Sequence, residues 1–228
     1  MSNPEKSDPK LGFLVHQHLI SLGLETPTVD VALGRSNRSK IEVIQKNVKE
    51  ILETLGLDLT DDSLVDTPSR VAKMYVNEIF SGLNYDNFPK CTAIQNKMSP
   101  GKEFILERNI TVNSACEHHL VTISGFAHVA YIPDKKVLGL SKLNRIVQFF
   151  AKRPQVQERL TRQIAETLKF ITGSDSVAVY MDAEHYCVKS RGVEDTNSRT
   201  VTLAVKGLFE TDQSIRSEFL AISRDHNG

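Results

Sequence analysis

The hydrophobic period of this chain changes near residue 103, and that change restricts the fold more than any other feature of the sequence. Before it, apolar residues recur at helical spacing; after it, they alternate every second residue. Residues 11–22 align Leu11, Leu14, Val15, His18, Leu19 and Leu22 in one helical stripe. The polar stretch from Glu25 to Arg38, with Pro27 and Gly34 as punctuation, interrupts the pattern. Ser39 followed by Glu42 has the form of a capping box. It predicts a second helix with Ile41, Ile44, Val48, Ile51, Leu52 and Leu55 on one face, stopped by Gly56. Thr67-Pro68 predicts a third start, with Thr as N-cap and Pro at the first helical position, and this helix runs to about Phe80. Beyond residue 103, FILERNITV and ISGFAHVAYI predict two strands. Ser141 is expected to cap a helix carrying Leu143, Ile146, Val147 and Phe150. Pro154 is expected to open another, with Val156, Leu160, Ile164 and Leu168 on one face and Gly173 at its close. Strands at about 176–188 and 199–209 and a short helix at roughly 212–223 complete the chain. The order strand, strand, helix, helix, strand, strand, helix is that of an α+β fold with an antiparallel sheet.

Charge excludes whole classes of function. The 28 basic and 28 acidic residues balance, so no net field favours nucleic acid or a membrane surface. An anionic ligand must then be held by a local basic cluster. The longest apolar stretches fall far short of the roughly 20 residues that a membrane span requires. The N-terminal MSNPEKSDPK lacks the apolar core of a signal peptide. A soluble cytoplasmic protein that binds neither nucleic acid nor membrane is expected. Cys91, Cys116 and Cys187 are the three cysteines. Three cannot pair completely, and a chain of this length does not need disulfides to fold. Cys91, with no histidine beside it, is expected to be a buried or incidental thiol.

The other two cysteines lie among histidines. In Cys116-Glu117-His118-His119, cysteine and histidine three residues apart can converge on one ion if the segment makes a single turn. His185-Tyr186-Cys187 ends an alternating run, and residues two apart on a strand face the same side. Thiolate with imidazole suits zinc better than calcium or magnesium. Cys116, His118, His119, His185 and Cys187 are all candidate ligands. Four protein ligands would make a closed structural site; three would leave a position for water. Counting alone leaves both open. Adjacent His118 and His119 rarely share an ion, because neighbouring side chains diverge, so one of them is available for acid–base work. His16, His18, His128 and His226 are expected to pack or to face solvent.

A basic cluster, Lys142, Arg145, Lys152, Arg153 and Arg159, lies within GLSKLNRIVQFFAKRPQVQERL. With Ser141 at a helix start it could hold an anion, the alternative being a solvated basic face. Arg191 follows the HYC segment. Neither GxxxxGK[ST] nor GxGxxG occurs. Glu158, taken alone, is a surface carboxylate.

Four segments together, CEHH at 116–119, GLSKLNRIVQFFAKRPQVQERL at 139–160, HYCVKSRG at 185–192 and TPSRVAKMYVNEIFSGL at 67–83, resemble the bacterial, zinc-containing GTP cyclohydrolase I family. The resemblance runs from about residue 40 almost to the end. It implies a tunnelling fold, an antiparallel hairpin, two helices and a second hairpin, in residues 101–228 behind an N-terminal helical region, 1–100. It further implies that subunits join into pentameric barrels and that two barrels stack into a homodecamer. By the same resemblance Cys116, His119 and Cys187 hold Zn2+ with a position left for water, and His118, His185 and Ser141 are catalytic. Glu158 would anchor guanine with Gln157 beside it. Lys142, Arg145 and Arg191 would hold the ribose and triphosphate, and Arg70 and Lys73 would reach the triphosphate across a subunit boundary. The implied substrates are GTP and water, the products formate and 7,8-dihydroneopterin triphosphate. A reductase of the same fold would need a nucleophilic cysteine, and a non-catalytic protein a fourth zinc ligand from His118 or His185.

Overall fold

The computed structural model describes residues 6–29, 33–97 and 101–224. His226 lies outside them. The N-terminal part contains α1 (Pro9–Ser21), α2 (Asn37–Thr54) and α3 (Thr67–Met74), the last continuing through a π-helical stretch, Tyr75–Ile79. A short strand β1 (Ala93–Gln95) follows. Then come β2 (Ile105–Cys116), β3 (Thr122–Tyr131), β4 (Lys136–Leu138), α4 (Leu140–Ala151), β5 (Pro154–Gln155) and α5 (Gln157–Thr172). The chain closes with β6 (Val177–His185), a helical turn α6 (Tyr186–Lys189), β7 (Thr200–Val205), α7 (Leu208–Thr211) and α8 (Gln213–Arg224).

The main sheet has the order β5-β2-β3-β6-β7. Its β2–β3, β3–β6 and β6–β7 pairs are antiparallel, whereas β5 lies parallel to the end of β2 with Cys116 opposite Gln155. Two-residue alternation explains how both faces are used. Val177, Val179 and Met181 of β6 join Ala127, Val129 and Tyr131 of β3 in the core beneath α4 and α5. The intervening Ala178, Tyr180 and Ala130 pack with Phe209, Ile215 and Phe219 of α7 and α8 on the other face. β3 and β6 approach closely at Gly125, where a Cβ would stand 2.2 Å from the carbonyl oxygen of Asp182. α5 stops at Gly173, whose φ of 71° is the left-handed conformation that ends helices.

This is the expected mixed α+β order, hairpin, two helices, hairpin, with several local corrections. Ser36, not Ser39, caps α2: its side chain accepts from the Ser39 N–H at 3.2 Å. Asp66 precedes α3, so Thr67 is already helical. Ser141 is not a cap either; Gly139 holds that position and Ser141 lies in the first turn of α4. Pro154 opens no helix. Arg153 and Gln155 are buried and draw residues 154–155 onto the edge of β2, and α5 begins only at Gln157. The strand expected to continue to 188 ends at His185, and Cys187 sits on the α6 turn. The β1–β4 pair, three residues per strand, was too short for a periodic signal. Among the described residues no helix is long and apolar enough to cross a membrane.

Candidate metal centre and its surroundings

β2 delivers Cys116 to one end of the sheet, buried, and the chain then turns at once. The Cys116 carbonyl accepts from the Leu120 N–H at 2.8 Å, and Leu120 takes a positive φ of 56° to return the chain into β3. That single turn carries His119 back over Cys116. Cys187 arrives from α6, beyond the end of β6, whose last residue His185 pairs with Ile123 of β3. The ligand atoms of Cys116, His119 and Cys187 lie within 4.8 Å of one another. Cys116 is buried, Cys187 half-buried and His119 exposed, so the group opens outward. Burial pushes the Cys187 thiol up, and the neighbouring Cys116 sulfur adds to the shift. Two thiols crowded together resist ionising, and a cation between them removes that obstacle. Two sulfurs and one imidazole at this spacing fit a zinc-type ion better than a hard cation.

Neither remaining candidate belongs to the three-residue group. His118 is largely exposed; its Nδ1 is 3.8 Å from the Cys116 sulfur, and its ring diverges from that of His119, with centroids 6.4 Å apart and planes at 75°. His185 turns instead to Gln157, with Nε2 2.8 Å from Oε1. Burial holds the His185 imidazole below its ordinary pKa, and the charge of Glu158 acts in the opposite direction. Arg191 donates from Nη1 to His119 Nε2 at 2.9 Å, which brings one cation of the sequence-derived set to the metal group.

The turn is held by residues whose importance the sequence did not signal. Glu117 receives a forked ion pair from Arg159, with N···O distances of 2.7 and 2.8 Å to one carboxylate oxygen and 3.0 Å to the other. The Glu117 N–H donates to the Gln155 carbonyl at 3.0 Å. Both contacts fasten the loop between two ligands to the start of α5, where Glu158 is exposed to solvent. The basic cluster therefore divides. Arg159 clamps the turn. Arg153 is fully buried, donates to Glu25 at 2.9 Å and to the Gly82 carbonyl at 2.6 Å, and lies over the rings of Tyr85, Phe149 and Phe150. Ser141 is exposed on α4, and Lys142 and Arg145 are half-buried there, the two cations near Cys91. Burial pushes the Cys91 thiol up to about 12, as suits an inert packed cysteine. Arg70 and Lys73 are exposed on α3, and Arg70 pairs with Asp66 one turn back. His16 stacks on Tyr85, His18 on Phe170, and His128 is buried beside Tyr180.

A family model described as GTP cyclohydrolase I matches residues 44–224. A protein of Enterobacter sp. (strain 638) named GTP cyclohydrolase 1 is 55% identical over 214 residues, covering 94% of this chain and 96% of that one. Its namesake from Yersinia pseudotuberculosis is 57% identical over 213 residues, covering 93% and 96% respectively. That from Edwardsiella ictaluri is 56% identical over the same length and coverage.

Proposed function

The chain belongs to the GTP cyclohydrolase I family, and from that premise we propose how its own residues carry out the opening of the guanine imidazole ring of GTP. The reaction releases C8 as formate and rearranges the remainder to 7,8-dihydroneopterin triphosphate, the first step towards tetrahydrofolate and other pterins. The observation that carries this reading is the convergence of Cys116, His119 and Cys187 while His118 and His185 stay outside the group. Zinc is the ion we assign to these three ligands. Held by those three residues, it would supply Lewis-acid chemistry that makes water easier to ionise near neutral pH.

His185, half-buried beside Glu158, gives a proton to a nitrogen of the imidazole ring as C8 is attacked, which makes that carbon more electrophilic. His118 and Ser141 move the protons required when the ribose opens, rearranges and recloses on the ring amine. Glu158 accepts from the hydrogen-bond donors on the guanine edge; adenine would leave the carboxylate without them. Lys142, Arg145 and Arg191 hold the ribose and triphosphate. Arg70 and Lys73, exposed on α3, serve the triphosphate of a neighbouring subunit. In the same proposal residues 101–228 form the catalytic tunnelling-fold domain behind the helical region 1–100. Subunits close into pentameric barrels, two of which stack into a cytoplasmic decamer.

The test is anaerobic incubation of metal-quantified protein with GTP, following formate and the fluorescence of the oxidised pterin. Stoichiometric zinc with both products, and loss of both on chelation, is the expected result. Bound zinc without formate would point instead to a structural metal.

A further inference from the structure

Gln157, the first residue of α5, has no exposed surface. A buried carboxamide must satisfy two N–H donors and one carbonyl acceptor from its surroundings. Its Nε2 faces the Thr200 carbonyl at 2.9 Å, the Thr202 hydroxyl at 3.1 Å and the Met181 carbonyl at 3.2 Å. Two of those three are carbonyl oxygens, which can only accept. Turning the amide end for end would set Oε1 against both carbonyls and leave them without a donor, so the partners themselves fix its orientation. Oε1 then lies 2.8 Å from Nε2 of His185. An amide oxygen cannot donate, so His185 must carry its hydrogen on Nε2, and in the neutral ring Nδ1 keeps the lone pair.

The anchorage is rigid because it belongs to the sheet. Thr200 and Thr202 lie on β7, Met181 and His185 on β6, and the two strands pair with Ala183 opposite Thr200 and Met181 opposite Thr202. One side chain from α5 thus spans both strands and ends on the imidazole. We infer that Gln157 is a positioning residue, which holds His185 as its Nε2–H tautomer and makes Nδ1 the nitrogen that exchanges protons with substrate, and that its side chain does not read guanine. The inference rests on the proposed GTP reaction, in which His185 takes up a second proton at Nδ1 and gives it from there to the substrate. It also separates two neighbours on α5: Glu158 faces outward, whereas the amide of Gln157 is committed to the sheet and the histidine.

Two measurements test it in the metal-loaded protein. First, Gln157→Leu is compared with wild type, and Gln157→Leu/His185→Ala with His185→Ala. The single change is expected to lower kcat on the order of 10–100-fold, the range for partners that orient a functional imidazole. In the His185→Ala background it should lower kcat no further and leave the GTP dissociation constant within about twofold, because its effect passes through the missing ring. A tenfold weaker GTP affinity in that background, or a full multiplicative loss of kcat, would overturn the positioning role. Second, 15N spectra of histidine-labelled wild type and His185→Gln, recorded where imidazoles are neutral, isolate the His185 signals without any Gln157 variant. A protonated-type Nε2 coupled to both ring C–H hydrogens is expected, and a protonated-type Nδ1 overturns the inference. If wild type with zinc releases no formate from GTP, the parent reaction fails, while the tautomer measurement keeps its own outcome.

Discussion

At Arg153 a full positive charge sits where no water reaches it. The guanidinium is neutralised by Glu25, bonded to the Gly82 carbonyl, and flanked by the rings of Tyr85, Phe149 and Phe150 with centroids 4.8–5.0 Å away. Removing one member of such a pair leaves the other charge buried and uncompensated, at a cost of about 3–5 kcal/mol. Arg153→Ala is therefore expected to lose that much in urea unfolding, while the double variant with Glu25→Leu loses less than the two single losses added together. Strict additivity would mean that the pair is not coupled. Glu158 poses the opposite case, a carboxylate open to solvent in the single chain, whose value lies in what it meets. Glu158→Gln keeps the shape and removes a charged acceptor, worth about 1.5–3 kcal/mol. A fall in kcat/KM for GTP of roughly 10–100-fold is the expected outcome, with metal content unchanged. Kinetics equal to wild type would remove the guanine-anchor role.

Among the elements, the turn from Cys116 to Leu120 depends most on its neighbours. It holds two of the three candidate ligands, yet its own backbone closure is slight, Leu120 N–H to the Cys116 carbonyl and Cys116 N–H to the Val121 carbonyl. The Arg159–Glu117 fork and the Gln155 carbonyl add to it, the first from the opening turn of α5 and the second from β5 just before it. Arg159→Ala should leave the helices and sheet intact by circular dichroism. Zinc affinity, measured by competition with a chelator, is expected to fall on the order of 10–100-fold, the range for partners that orient metal ligands. Affinity equal to wild type would show that the turn holds its shape unaided.

For the whole molecule, α2 is the outlying feature. None of its residues is buried in the single chain, and Ile51 and Leu55 are 57% and 71% exposed. Ile41, Ile44, Val48 and Leu52 are half-buried, but Ile51 and the C-cap Leu55 leave apolar surface in water, and further copies of this chain are the cover implied by the proposed barrel assembly. Sedimentation of the wild type should report a large multimer, and Ile51→Asp with Leu55→Asp a smaller species. An unchanged mass would place those residues outside any interface. The proposed role of exposed Arg70 makes a sharper test of shared sites. Arg70→Ala and His185→Ala proteins, each weak alone, should regain activity when their subunits are exchanged. Proven exchange without recovery would confine the site to one chain.

What is local was legible in the residues alone. The change of hydrophobic period set the α+β order, because apolar spacing reports which face of an element is buried. Cysteine and histidine spacing placed Cys116 and His119 among five candidate ligands, because one turn suffices to bring them together, and the folded chain groups those two with Cys187. Gly173 marked the end of α5, because only a residue without a side chain takes that φ without strain. The features that came only with folding involve partners far apart along the chain. Ser141 inside the first turn rather than at the cap, Pro154 on a strand and Cys187 on a turn are small shifts of boundary, set by what packs against each end. Arg153 looked like one more member of a basic cluster until Glu25 stood beside it, and Gln157 like a neighbour of Glu158 until its amide met β6, β7 and His185. Such roles are invisible to spacing, because a buried polar group is defined by the partners that satisfy it, and only the folded chain brings those partners within reach.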